Sequence, residues 1–199
     1  KIFINLKKMV KYDVIILGAG MVGLSLAHQL KLRWGKISIL VIDKEPIIGK
    51  HSSGRNSGIL HAGIYYPPNS LKAKICIKGA KRLKNWCKEQ RLNILECGKV
   101  IAPQSKDLDD QLDLLHERGL KNGAEVSFIN QEEFNQKVPH GRTASGRAIW
   151  SPNTCVVNPR EILKRLEKVL KSLSVNFLFD AKNINFDPSN KLLKINKIY

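Results

Sequence analysis

The chain has 199 residues, 43% of them apolar and 26% charged, with a formal net charge of +17. That is enough for one sizeable core, or a core and a smaller lobe, and it argues against a disordered, collagenous or membrane-spanning protein. The 25 lysines outnumber 9 arginines and run along the whole chain. This balance favours solvated faces over a nucleic-acid surface, which would use arginine forks and interleaved aromatics.

The opening "KIFINLKKMVKY" has neither the apolar stretch nor the cleavage site of a signal peptide, and no run approaches eighteen apolar residues. Residues 1 to 8 are expected to be an upstream extension without a structural role, because Met9 stands just before the first strong strand. Cys76, Cys87, Cys97 and Cys155 form no C-x-x-C pair and have no histidine at metal-ligand spacing. Reduced structural thiols in a reducing, cytoplasmic compartment are therefore expected, with no metal.

From Tyr12 the sequence reads "YDVIILGAGMVGLSLAHQL". A continuous apolar run, Val14 to Leu17, gives way to glycines and then to a helical period through Val22, Leu26, Ala27 and Leu30. A second β-rich run, "ISILVID", ends on Asp43, so the first 43 residues predict a βαβ unit of a parallel sheet.

Gly18-Ala19-Gly20-Met21-Val22-Gly23 therefore stands where a dinucleotide fingerprint belongs: after a strand, opening a helix, with an acidic residue closing the next strand. Gly18 suits the tight turn, Gly20 the approach of a diphosphate, and Gly23 the close packing of helix on strand. The helix start offers amides and partial positive charge. Asp43 is expected to accept from the adenosine ribose hydroxyls. The fingerprint alone leaves NAD and FAD open.

Lys44 to Pro68 is a polar, glycine-rich loop containing "HSSGRNSGILHAGIYYPP", suited to running along an extended cofactor. Ser70 then opens a helix with Leu71, Ile75, Leu83 and Trp86 on its apolar side. A short strand is predicted at Lys99 to Pro103, a helix over "LDDQLDLLHERGLKNG" closed by Gly123, a strand at Glu125 to Ile129 and a short helix at "QEEFNQKV". Pro139 to Pro152 reads as turns. "NPREILKRLEKVLKSL" predicts a helix with Asn158 as N-cap, Pro159 in the first turn and Glu161 closing a capping box. "VNFLF", "KNINF" and "KLLKI" read as strands.

"DVIILGAGMVGLSLAHQL", "VIDKE", "HSSGRNSGILHAGIYYPPNSLKAK" and "CVVNPREILKRL" together resemble the FAD-dependent D-amino-acid-oxidase-type superfamily, over about residues 10 to 186. Within it they are most similar to the branch that oxidises L-2-hydroxyglutarate. The resemblance implies an α/β fold: a Rossmann-like FAD-binding domain with an interposed, incomplete α+β substrate domain. Residues 9–75 would hold the first βαβ and flavin loop, 76–155 a helical linker and the start of the substrate domain, and 156–199 the return to the FAD-binding domain. It also implies that the chain is the N-terminal half of a longer protein and binds FAD weakly, without turnover, when alone.

By position, the resemblance places Gly18, Ala19, Gly20, Met21, Val22 and Gly23 on the FAD diphosphate and Asp43 and Lys44 on the adenosine. Ser53, Arg55, Asn56 and Ser57 would touch the diphosphate, ribityl chain or isoalloxazine, with Asn183 at a late-strand backbone contact to adenine. The implied reaction oxidises a 2-hydroxy dicarboxylate to 2-oxoglutarate, with a quinone or oxygen as electron acceptor. His61 is the candidate base, since an imidazole titrates near working pH; the alternative is a histidine satisfied by its own loop. Arg55 is read as a cofactor contact before a substrate clamp. Tyr65 and Tyr66 line the pocket or form an ordinary packed pair, and His51 is expected to be solvated. Rivals are an amino-acid or glycerol 3-phosphate oxidase on the same scaffold, and a noncatalytic basic fragment. For the anionic-surface alternative, peripheral contact with the inner membrane comes first and nucleic acid is not expected.

Overall fold

The computed structural model describes residues 2–5, 9–182 and 184–195, with side chains from residue 10 onward. In chain order these form β1 (Ile2–Asn5), β2 (Met9–Tyr12), β3 (Val14–Leu17), α1 (Met21–Arg33), β4 (Ile39–Ile42) and β5 (Ile59–Leu60). Next come α2 (Leu71–Glu89), β6 (Ile94–Leu95), β7 (Lys99–Ile101), α3 (Asp109–Lys121), β8 (Ser127–Asn130) and α4 (Gln131–Lys137). Then follow β9 (Arg147–Ser151), β10 (Cys155–Val157), α5 (Pro159–Ser172), β11 (Asn176–Leu178), β12 (Ile184–Asp187) and β13 (Leu192–Ile195). Two units result, one of residues up to Ser57 and from Pro159 onward, the other of Gly58 to Asn158.

In the first unit β3, β4 and β11 make a parallel sheet with β4 in the centre, Val14 opposite Ile39 and Phe177 opposite Val41. All four β4 residues are buried, as an uninterrupted apolar run requires when both faces are covered. On one face Leu40 and Ile42 pack with Ala181, Leu193 and Ile195, which brings up a second sheet in the order β12-β13-β1-β2. α1 packs on α5. Helix α5 buries Ile162, Leu163, Leu166 and Leu170, a single stripe at helical spacing.

Two expectations are corrected here. The first residues are not a structureless extension: β1 lies between β13 and β2, parallel to one and antiparallel to the other. A four-residue strand carries too little period to read, and its partner is far along the chain. Helix α1 buries Leu24, Ala27 and Lys31, while Val22 and Leu26 are exposed. The Lys31 ammonium donates to the carbonyls of Gly35, at 3.2 Å, and Ile37, at 2.9 Å, holding the chain as it leaves the helix.

The second unit has two three-stranded sheets, β5-β10-β6 and β7-β9-β8, and a core of Ile64, Leu112, Val126 and Ile149. The Ser70 hydroxyl caps α2 by accepting from the Ala73 amide at 3.1 Å. Asn130 and Glu133 close a capping box on α4. Gly123 follows α3 with φ of +76°, the left-handed turn that ends helices.

The stretch read as turns contains β9, which pairs with both β7 and β8 and centres its sheet. It follows turn-forming residues and buries Ala148, Ile149 and Ser151, so no alternation marks it. On α2 the buried residues are Ala73 and Cys87, whereas Leu71 and Ile75 are exposed. Small side chains let the helix approach; a Cβ at Gly63 would stand 2.6 Å from Ile77 Cγ1.

Candidate functional site

The site of the first unit is built on the turn between β3 and α1. Gly18 has φ of +112°, which L side chains rarely adopt, and its amide donates to the Ile42 carbonyl at 2.7 Å. A Cβ at Gly23 would stand 2.0 Å from the Gly18 carbonyl oxygen and 3.2 Å from Ile16 Cγ2. Only glycine lets the helix lie this close to the strand.

Asp43, just beyond β4, reaches back to that turn. Its Oδ2 accepts from the Ala19 amide at 2.6 Å and its Oδ1 from the Glu45 amide at 2.9 Å. The carboxylate thus ties the two chain crossings together, and each oxygen keeps a lone pair for a further donor.

Gly20 is the N-cap of α1 and has no side chain to cap it. The cap comes from a distant residue instead: Ser53 Oγ accepts from the Met21 amide at 3.0 Å. A Cβ at Gly20 would sit 2.9 Å from that hydroxyl and fill the notch between helix start and loop. The next amides have no acceptor within the helix, and together with the positive end of its dipole they suit a diphosphate. The donor set and the side-chain-free notch fit the cofactor's phosphates.

The other predicted residues diverge. Ala19 is buried, and its carbonyl accepts from the Gly49 amide at 3.0 Å. Val22, Lys44 and Ser57 are exposed. Asn56 turns into its own loop, its amide donating to the carbonyls of Ser52, at 3.1 Å, and Ser53, at 3.0 Å. Arg55 lines a cavity of about 500 Å³ with Lys50, Arg160, Leu163, Lys164 and Phe179. The adenine contact proposed at Asn183 lies outside the described residues. His51 is exposed, but its Nε2 lies 2.8 Å from Glu45 Oε1, and Lys50 Nζ is 2.8 Å from Oε2. These two contacts, Lys50 first, hold the Glu45 carboxyl at about 2.

In the second unit, His61 follows β5 and is half-buried. Burial, and then the charge of Lys99, lowers its pKa from the ordinary value, which favours the neutral imidazole. Its ring meets that of Tyr65 edge-on, with centroids 5.9 Å apart and planes at 84°. The Lys99 ammonium donates to the Tyr65 hydroxyl and lies 4.3 Å from the ring centroid. His61 and Tyr65 stand out in the sequence; Lys99, one lysine among 25, carries no local signal that marks it.

A strand, a glycine turn capped from a distant loop, and a carboxylate returning from the next strand define a dinucleotide-binding α/β protein. The family model for FAD-dependent oxidoreductases of the DAO type matches residues 13–194, and the chain belongs to that family. FAD is the cofactor of that family. Among curated proteins, the chain is 36% identical over 192 residues to the mitochondrial L-2-hydroxyglutarate dehydrogenase of Dictyostelium discoideum, covering 92% of this chain and 43% of that protein. It is 40% identical over 152 residues to the human mitochondrial protein of the same name, covering 76% and 32%. The Escherichia coli L-2-hydroxyglutarate dehydrogenase is 32% identical over 171 residues, covering 86% and 40%. The chain thus spans less than half the length of these relatives. Among solved structures, the FAD-bound L-alpha-glycerophosphate oxidase of Mycoplasma pneumoniae aligns with a TM-score of 0.80 at 23% identity, covering 91% of this chain and 48% of that one. The glycine oxidase of Geobacillus kaustophilus aligns with a TM-score of 0.78 at 19% identity, covering 89% and 50%.

Proposed function

We propose that this chain is the flavin-binding part of a longer enzyme that oxidises L-2-hydroxyglutarate to 2-oxoglutarate and passes the electrons to a quinone or oxygen. One observation carries the choice of substrate. Relatives from a slime mould, a mammal and a bacterium, at 32 to 40% identity, share that activity in their names. The glycerophosphate and glycine oxidases share the fold at 23% identity or less.

In this reading Gly18 to Gly23 and Ser53 hold the diphosphate of FAD, Asp43 and Lys44 the adenosine, and Arg55, Asn56 and Ser57 the flavin side. Residues 9–75 and 156–199 serve the cofactor, and 76–155 begin the substrate side. FAD, when bound, supplies the acceptor for the hydride. His61 takes the hydroxyl proton as the Cα–H bond breaks, so the alcohol loses two electrons and two hydrogens and becomes the ketone. A neutral imidazole suits that role.

We further propose a cytoplasmic location with peripheral contact at the inner membrane, a reading supported by the exposed Leu71 and Ile75 among the lysines of α2. Among the described residues no helix is long and apolar enough to cross a membrane.

The test is the full-length protein, purified and examined for flavin absorbance near ~450 nm, then mixed with L-2-hydroxyglutarate, glycerol 3-phosphate, glycine and a redox dye. Reduction by the first alone is expected. A flavin-free protein, or one that prefers either of the others, overturns the reading. Sedimentation with anionic vesicles at low and high salt tests the membrane contact, which is expected to weaken with salt.

A further inference from the structure

A hydroxy dicarboxylate brings two negative charges, and a site that oxidises it needs cations to meet them. Most of the described lysines are of no use for that purpose, either solvated or already paired. Lys50, Lys84, Lys88, Lys121 and Lys171 each hold a carboxylate oxygen within 2.8 Å. Lys99 differs. Among the described residues it has no carboxylate partner, and its ammonium is held by the Tyr65 hydroxyl and lies against that ring.

The donors left over are those a carboxylate takes. An ammonium has three N–H groups, of which Tyr65 receives one. The phenol accepts from Lys99 through its oxygen, so its own O–H remains to donate, and accepting from a cation polarises it toward stronger donation. Two N–H groups and an O–H are thus left together, with charge assistance, at a tyrosine whose ring centroid is 5.9 Å from that of His61. A cation from β7, brought against a phenol and an imidazole from the loop after β5, makes with them a recognition surface for an acid.

We propose that Lys99 and Tyr65 clamp one carboxylate of the substrate, and that the charge of Lys99 makes the site prefer 2-hydroxy dicarboxylates to 2-hydroxy monocarboxylates. This rests on the hydroxyacid reading above. Lys99 is then a specificity-determining residue, and Tyr65 both its holder and the second donor.

The test uses the FAD-loaded full-length protein and two acids that it cannot oxidise, glutarate and butyrate, titrated by calorimetry. Wild type is expected to bind glutarate at least about tenfold more tightly than butyrate. Lys99→Met, Lys99→Gln and Lys99→Arg are compared, with thermal melts to establish that each is folded; Gln and Arg keep the test open should Met fail to fold. The neutral variants are expected to lose the preference, with Lys99→Arg keeping most of it and Tyr65→Phe weakening both acids severalfold. In turnover, Lys99→Gln is expected to raise KM for L-2-hydroxyglutarate about tenfold or more with kcat within about twofold, the signature of lost substrate binding. Folded neutral variants that keep the wild-type preference overturn the clamp and leave the substrate assignment standing. A wild-type enzyme that oxidises only a monocarboxylic substrate, or none, overturns both.

Discussion

The glycine turn of the first unit and the Lys99–Tyr65 pair of the second use different parts of the chain. The turn is made of backbone: amides, a carbonyl and the absence of Cβ atoms, with Asp43 and Ser53 fastening amides from outside. The pair is made of side chains, an ammonium on a phenol beside an imidazole. A backbone site is determined by where glycine must be, and it tolerates no added atom. A side-chain site is determined by which residues the fold brings together, and a single replacement retunes it without unfolding it. The first kind suits a cofactor with a constant shape, the second a substrate that must be told from its neighbours.

The sharpest way to break this contrast lies at His61. In the full-length enzyme His61→Gln is expected to lower kcat by about 10² to 10⁴, with flavin content unchanged. Because burial lowers its pKa, His61 stays neutral to a lower pH than a free histidine, so a base at this position is expected to give an acid limb of kcat/KM below pH 6.5 that disappears in the variant. The same shift makes stability rise with pH through that window, since the unfolded chain binds the proton more readily. A variant with full activity would remove the base from this side of the molecule.

Gly23→Val tests the backbone side. The added Cβ meets the Gly18 carbonyl oxygen at 2.0 Å, a backbone atom rather than the end of a flexible side chain, and Ile16 Cγ2 at 3.2 Å. We expect a loss at or above the usual overpacking cost of about 1–3 kcal/mol, together with loss of bound flavin, read by urea unfolding and absorbance. Retained flavin would show that the turn does not anchor it.

Asp43→Ala strips the acceptor from two amides, Ala19 and Glu45, and is expected to cost about 1–3 kcal/mol for each one left buried and unpaired. Asp43→Asn sharpens the result, because it keeps one acceptor and turns a donor toward the other amide. Ser53→Ala removes the cap borrowed by α1 and is expected to cost about 1 kcal/mol, with a matching weakening of flavin binding. The smallest effect concerns Glu45. Its carboxyl is held at about 2 by Lys50 and His51. The stability it contributes is therefore present above the ordinary glutamate value of 4.5 and lost as pH falls toward 2. Glu45→Gln should flatten that slope slightly in acid unfolding curves.

The parts of the site that were legible in the sequence are those in which neighbours in the chain are neighbours in space. Strand, glycines and helix follow one another without interruption, so the turn could be placed to the residue. Asp43 could be placed by its distance from Gly23, although its oxygens hold the turn's own amides as well as being available to a ribose. Ser53, expected from the sequence to touch the cofactor, is also the cap that Gly20 lacks. Sequence is silent where packing chooses among similar residues. Leu24, rather than Val22 or Leu26, is the buried leucine of α1, and Ala73 and Cys87, rather than Leu71 and Ile75, are buried on α2. Apolar spacing marks a helix but does not say which of two adjacent stripes faces the core. Strand β9 was hidden for a related reason, because burial on both faces leaves no alternation to see.

By itself the sequence determined the parallel βαβ start, its phosphate-type turn and the carboxylate that answers it, because local sterics and hydrogen bonding need only residues close in the chain. Only the tertiary structure decided that Lys99, one of 25 lysines, lies on Tyr65 beside His61. It also decided that Ser53 caps a helix begun thirty-two residues earlier and that β1 closes a sheet with β13. Those contacts join distant parts of the chain, and their stability comes from the packing of the whole fold rather than from any property of the residues alone.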